Sequence, residues 1–153
     1  MTDVPIDVPA LAKKSSISWI QVGSQTHPVW HEWVDGDDGG ALCLVGSVDA
    51  GGSEQPIPAL TDGDQAVVLL RSKTDRQLAA AVPVVASVVQ PGSVLWEPVT
   101  AALKAARLNA RDPDSEVDRW ARACRVLRLV PQGRVTPAGE LPHDRPRTAP
   151  RLS

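Results

Sequence analysis

The chain has 153 residues, 42% of them hydrophobic and 22% charged, with a formal net charge of −2, which suits one globular domain with appendages. A strong binder of the phosphate backbone would be basic, so the charge argues against nucleic acid as a partner. No apolar run approaches a membrane span, and the acidic, proline-broken start lacks the pattern of a signal peptide, so the expectation is a soluble cytoplasmic protein.

Residues 1–16 read as an extended lead-in, and residues 18–22 as a first strand. His27-Pro28 punctuates the chain, because a proline disfavours helix just before it. Residues 29–34 read as a second strand with Trp30 and Trp33 on opposite faces. The run from Asp35 to Gly40 is a turn by composition, and residues 41–48 complete a hairpin. A loop rich in Gly, Pro and Asp covers residues 49–64. Residues 66–72 form a nearly continuous apolar strand, and residues 78–90 a long partner. Pro83 inside that partner implies a bulge or a sheet edge.

The pattern then changes period. Val99, Ala102, Leu103 and Ala106 fall at helical spacing, with a start near Glu97 because Pro98 belongs in a first turn. A second short helix follows Ser115, with Val117, Trp120, Ala121 and Cys124 on one face. Residues 126–130 read as a last strand. The stretch 133–153 has recurrent Pro and Arg without apolar periodicity and is expected to be disordered. The domain proper is thus 17–132. Strands come consecutively, not alternating with helices, which points to a mainly β antiparallel barrel or sandwich. Five Trp with no Phe or Tyr leave Val, Ala and Leu to build its core.

Catalytic motifs are sparse. There is no phosphate-cradling glycine loop and no nucleophile elbow. His27 and His31 stand four apart, but the β pattern removes the helix that would make them a metal pair, and no third ligand is evident, so no metal is expected. Asp35–Gly40 fails the calcium-loop template, having Gly39 and Gly46 where oxygen ligands belong. Cys43 and Cys124 lack CxxC spacing and lie in apolar runs, which fits two buried thiols, with a bridge between them as the alternative the sequence leaves open. The dense cationic patches Arg107-Leu108-Asn109 and Arg119-Trp120-Ala121-Arg122 fit best as helix surfaces around one buried Trp.

Arg71-Ser72-Lys73 is the chemically suggestive corner. Two cations and a hydroxyl at a strand end can grip a phosphate, with Ser53 and Gln55 of the upstream glycine-rich loop in support. By residue type alone, the default for such a turn is charges in water.

The stretch from Ser18 to about Val130 resembles the flavin-binding split barrels, the pyridoxamine 5′-phosphate oxidase-like group, and within it small actinobacterial members. The likeness lies in Glu54-Gln55-Pro56-Ile57-Pro58-Ala59-Leu60, Val67-Val68-Leu69-Leu70-Arg71-Ser72-Lys73, Trp96-Glu97-Pro98-Val99, Arg107-Leu108-Asn109 and Arg119-Trp120-Ala121. The resemblance implies a six-stranded antiparallel split barrel with one or two short capping helices. It also implies a homodimer with FMN at the interface. By matching position, Arg71, Ser72 and Lys73, then Ser53 and Gln55, are the cofactor-binding residues. It further implies a flavin-dependent oxidoreductase in which the cofactor carries the chemistry, and no catalytic side chain is assigned. The familiar arginine–lysine phosphate pattern of the better-studied members is absent, as are residues for pyridoxamine phosphate. The alternative is a cofactor-free split barrel acting as a binding or scaffold module.

Overall fold

The computed structural model describes residues 7–37, 39–47, 55–71, 78–106 and 113–137. The candidate residues Ser53, Ser72 and Lys73, the Arg107-Leu108-Asn109 patch and the tail beyond residue 137 lie outside the described residues. The elements run α1 (Val8–Lys14), β1 (Ile17–Val22), β2 (Gln25–Trp30), β3 (Glu32–Val34), β4 (Ala41–Gly46), β5 (Gln65–Arg71), β6 (Leu78–Val88), α2 (Trp96–Ala106), α3 (Pro113–Ala123), β7 (Arg125–Pro131) and β8 (Thr136–Pro137). The strands form one antiparallel sheet in the order β2-β1-β5-β6-β7-β4-β3, with β8 paired to β6.

The two ends of that order are neighbours in sequence. Only His31 separates β2 from β3, so the chain steps from one edge of the sheet to the other and the sheet curls on itself. Inside the curl lie Ile20, Val29, Leu42, Leu44, Val68 and Leu70, with side chains of β6 and β7. A second cluster sits outside β4 and β7, where Ala41, Cys43, Val45 and Val126 meet Val99, Leu103 and Trp120 of α2 and α3. β4 is therefore buried on both faces, which explains why its sequence is a continuous apolar run and not an alternation. Trp30 and Trp33 do fall on opposite faces, Trp33 packing inside the barrel and Trp30 against the outer cluster.

Several expectations need correction. The lead-in is not extended throughout, because residues 8–14 are helical. Asp7 caps the helix by accepting from the Ala10 N–H at 3.0 Å, and Pro9 falls in the first turn, where a missing N–H does no harm. Lys13 and Lys14 close the last turn, which suits the helix dipole. Val8 and Ala12, one turn apart, join the barrel cluster. The second strand is two strands: residues 25–30 pair with β1, and residues 32–34 pair with β4. Pro28 is tolerated in β2 because β2 ends the strand order. The tail is not wholly separate either, since Val135 packs on the barrel core and Thr136 pairs with Ala81.

Pro83 causes neither a bulge nor an edge. Its register with Val67 is continuous. Its carbonyl accepts from the Gln132 N–H at 2.8 Å, on the side where β7 has ended and β8 has not begun. A residue's N–H and C=O point to the same side of a strand, so the missing donor falls in that gap. Among the described residues the sheet has eight strands where six were expected, because the edge run is split and β8 is added. The described residues hold three helices where one or two were expected. α1 closes one end of the barrel, whereas α2 and α3 lie against the outer face beside β3, β4 and β7. No helix among the described residues is long and apolar enough to cross a membrane.

Candidate functional site

β1, β5 and β6 present an outer face that α2 and α3 do not cover. Successive strand residues alternate faces, so Ile20, Val68, Val82 and Val84 point inward, while Trp19, Val67, Leu69 and Val85 remain half-buried outside. Ile17, on the same face, is 41% exposed.

Arg71 stands at one end of this face. It is the last residue of β5, and the register with β6 shifts between Leu70 and Arg71, a local irregularity of the kind that re-aims a side chain. The guanidinium lies over the indole of Trp19, 4.5 Å from the ring centroid, close enough for a cation–π contact. The Arg side chain is exposed, and the ring contact holds it against the sheet face.

Gln55 comes to the same end of the barrel by another route. Its Nε2 donates to the Trp30 carbonyl at 2.9 Å and the Val45 carbonyl at 3.2 Å, and its Oε1 accepts from the Trp30 N–H at 2.7 Å. Trp30 is the partner of Ile17 in the β1–β2 ladder, so Gln55 and Arg71 serve neighbouring strands. The Gln55 amide is fully engaged by backbone. It ties the end of β2 to β4 where no strand pairing does so. The main chain beside it helps, with Ser47 N–H donating to Gln55 O at 2.8 Å and Ile57 N–H to Ser47 O at 3.1 Å. Gly46 makes this approach possible, because a Cβ there would collide with Ile57 and with the Gln55 carbonyl.

At the far end of the face, six residues along β5 and so roughly 20 Å from Arg71, a groove of about 300 Å³ is lined by Gln21, Gln65, Val67, Pro83 and Gln132. Neither Trp19 nor these glutamines stood out in the sequence. The available signal was the alternation in residues 18–22: once Ile20 is inward, Trp19 and Gln21 must share the outer face.

His31 has a structural role. His31 is buried, with Nε2 2.9 Å from the Ala12 carbonyl and Nδ1 2.9 Å from Ser18 Oγ. A carbonyl only accepts, so Nε2 carries the proton and Nδ1 accepts from the hydroxyl. Burial lowers the imidazole pKa, against a smaller upward pull from the backbone of Ala12 and Ser15. Partial burial raises the Glu32 carboxyl next to it. Asp35 accepts from Trp33 Nε1 at 2.9 Å and Lys13 Nζ at 3.2 Å, which together lower its pKa. These bonds organise the Asp35–Gly40 hairpin turn, where Gly40 has φ of 93° and lies flat against the Trp33 ring. Among the described residues, no three metal-ligating side chains cluster.

Cys43 and Cys124 are both reduced. Gly46 pairs with Arg125, so Cys124 projects to the level of residue 47, about 13 Å along the strand from Cys43 and too far for a bridge. The Trp120 side chain is fully buried and Arg122 is exposed, as the helix-surface reading of that patch requires.

The sequence matches no family model and no curated protein. The structure is similar to HutZ, the haem storage protein from Vibrio cholerae, with a TM-score of 0.53 and 12% identity over 86% of this chain and 92% of HutZ. It is also similar to a pyridoxamine 5′-phosphate oxidase-like protein from Listeria innocua, with a TM-score of 0.50 and 13% identity over 86% of this chain and 94% of that one. At these identities the likeness is one of fold: the chain is a mainly β split barrel.

Proposed function

We propose that this protein is a flavin-binding split barrel that works as a homodimer and serves as an oxidoreductase, with the FMN phosphate held at the Arg71 end of the uncovered β1–β5–β6 face. The observation that carries the reading is Arg71 stacked on Trp19 beside half-buried Val67 and Leu69. The residues present fit the group in two respects. A guanidinium fork suits a phosphate, and an apolar sheet face suits a flat ring system. Gln55 stays with its backbone partners and supports the barrel from behind. When bound, the flavin supplies the electron transfer. The chain supplies phosphate grip, orientation and water exclusion, the last completed by a second copy laid on the same face.

Haem, the ligand named for HutZ, finds less support. Of the described histidines, His31 has both ring nitrogens engaged, which leaves His27 as the ring able to reach an iron.

The absorbance spectrum of the freshly purified protein tests the reading. Flavin bands are expected, with FMN released on denaturation, and Arg71→Gln should weaken FMN binding about ten-fold through loss of a charge-assisted contact. A colourless protein whose melting temperature is unmoved by FMN would overturn the flavin assignment and leave the cofactor-free binding module. A Soret band would replace flavin with haem.

A further inference from the structure

A second cleft lies on the opposite side of the sheet, beside the helices. Four segments form it: the loop before β5, the exit of β6, the start of α2, and the junction of α3 with β7. It measures about 330 Å³, the lower end of the range for small-molecule pockets. Val89, Pro91 and Trp96 give it apolar walls, and Asp62 and Arg125 bring opposite charges to it.

Each charge is anchored to a neighbouring segment, Asp62 to the end of β6 and Arg125 to the loop that carries Asp62. Asp62 Oδ1 accepts from the Val88 N–H at 2.6 Å, and Arg125 Nη1 donates to the Leu60 carbonyl at 2.8 Å. The two side chains do not pair with each other. Asp62 keeps its second oxygen for another donor, and half-buried Arg125 keeps most of its five N–H groups. A cation drawn partly out of water and not ion-paired is stabilised by an anion that reaches it. A simple anion would also meet the Asp62 carboxylate. Two opposite charges that line one cleft without pairing complement a molecule that carries both.

We infer that this cleft binds a small zwitterion with an apolar or aromatic body: an α-amino acid whose carboxylate meets Arg125, whose ammonium meets Asp62 and whose side chain lies against Trp96 and Val89. Both charged groups are held before the ligand arrives, so little ordering is needed on binding. The site is separate from the Arg71 face and does not depend on the flavin reading.

The test uses the full-length protein and three probes: phenylalanine, phenylacetate, which lacks the ammonium, and phenethylamine, which lacks the carboxylate. Binding is followed by calorimetry and by the fluorescence of the protein's tryptophans, which none of the probes shares. Phenylalanine should bind, and each single-charge analogue should bind at least about ten-fold more weakly. Asp62→Asn keeps an acceptor for the Val88 N–H, and Arg125→Gln keeps a donor that can reach toward the Leu60 carbonyl. Each should weaken phenylalanine about ten-fold or more while leaving FMN binding unchanged. Absence of phenylalanine binding, equal binding of phenylacetate, or indifference to Asp62→Asn would each overturn the proposal. The first two readouts need only the wild-type chain, so a variant that fails to fold does not rescue it.

Discussion

At the scale of single residues, His31 links the parts of the fold. Its ring joins α1 through Ala12 and β1 through Ser18, and its backbone N–H donates to Ser16 O at 2.9 Å where the chain crosses between sheet edges. Its protonation should set the acid limit of the fold. In the unfolded chain the imidazole takes up a proton near 6.5, whereas burial holds the folded value lower. Above 6.5 both states are neutral and the stabilisation is complete. Below it the unfolded state binds protons that the folded state does not, so stability falls as pH drops toward the folded pKa. Glu32, raised above its usual 4.5 by partial burial, acts in the opposite sense, losing its contribution as pH rises from that value. Urea unfolding from about pH 7 to about pH 5 should show the His31 slope. His31→Leu should flatten it and lower stability at neutral pH by about 2–4 kcal/mol, because Ser18 and Ala12 lose buried partners. An unchanged slope in the variant would assign the acid sensitivity elsewhere.

Among elements, the decisive contact is the join between β2 and β4. These strands do not pair, and the Gln55 amide bridges them through three hydrogen bonds. The segment containing Gln55 reads in the sequence only as a Gly- and Pro-rich loop, so its closing role was invisible there. Gln55→Glu keeps the shape but turns a donor toward two carbonyls into a carboxylate. It should destabilise by about 2–4 kcal/mol, more than Gln55→Ala, which leaves room for water. Hydrogen exchange at the Trp30 amide should accelerate in both variants. A glutamate variant as stable as the parent would show that the main-chain bridge from Ser47 to residues 55 and 57 suffices. α1 teaches the related lesson that proline near a segment's start does not forbid a helix, since Pro9 sits where its missing N–H is harmless.

For the whole molecule, the unequal cover of the sheet matters most. One outer face is buried under α2 and α3, and the other keeps Ile17, Trp19, Val67 and Leu69 accessible. If a second copy covers that face, Leu69→Glu should convert dimer to monomer in light scattering, with little change in the far-ultraviolet circular dichroism. The same variant should lose FMN, since the apolar floor and the partner's cover go together. A variant that stays dimeric would move the contact to another surface.

The class of fold was legible because local rules act on local sequence. Alternating and continuous apolar runs marked β1, β4, β5, β6 and β7, helical spacing marked α2 and α3, and the Asp35–Gly40 composition marked a hairpin turn. Arg71 was legible as a cation at the end of an apolar strand. What only the tertiary structure decided were the relations between distant segments. Gln55 could be a ligand group or a clasp until Trp30 and Val45 came beside it. Trp19 acquired its meaning only when β5 brought Arg71 over its ring. Asp62 and Arg125, 63 positions apart in the chain, share a cleft only because β6 and β7 lie next to each other. Periodicity reports which face of a strand is buried, but not which strand will lie alongside it. That choice is set by packing of the whole sheet, and the sites depend on it.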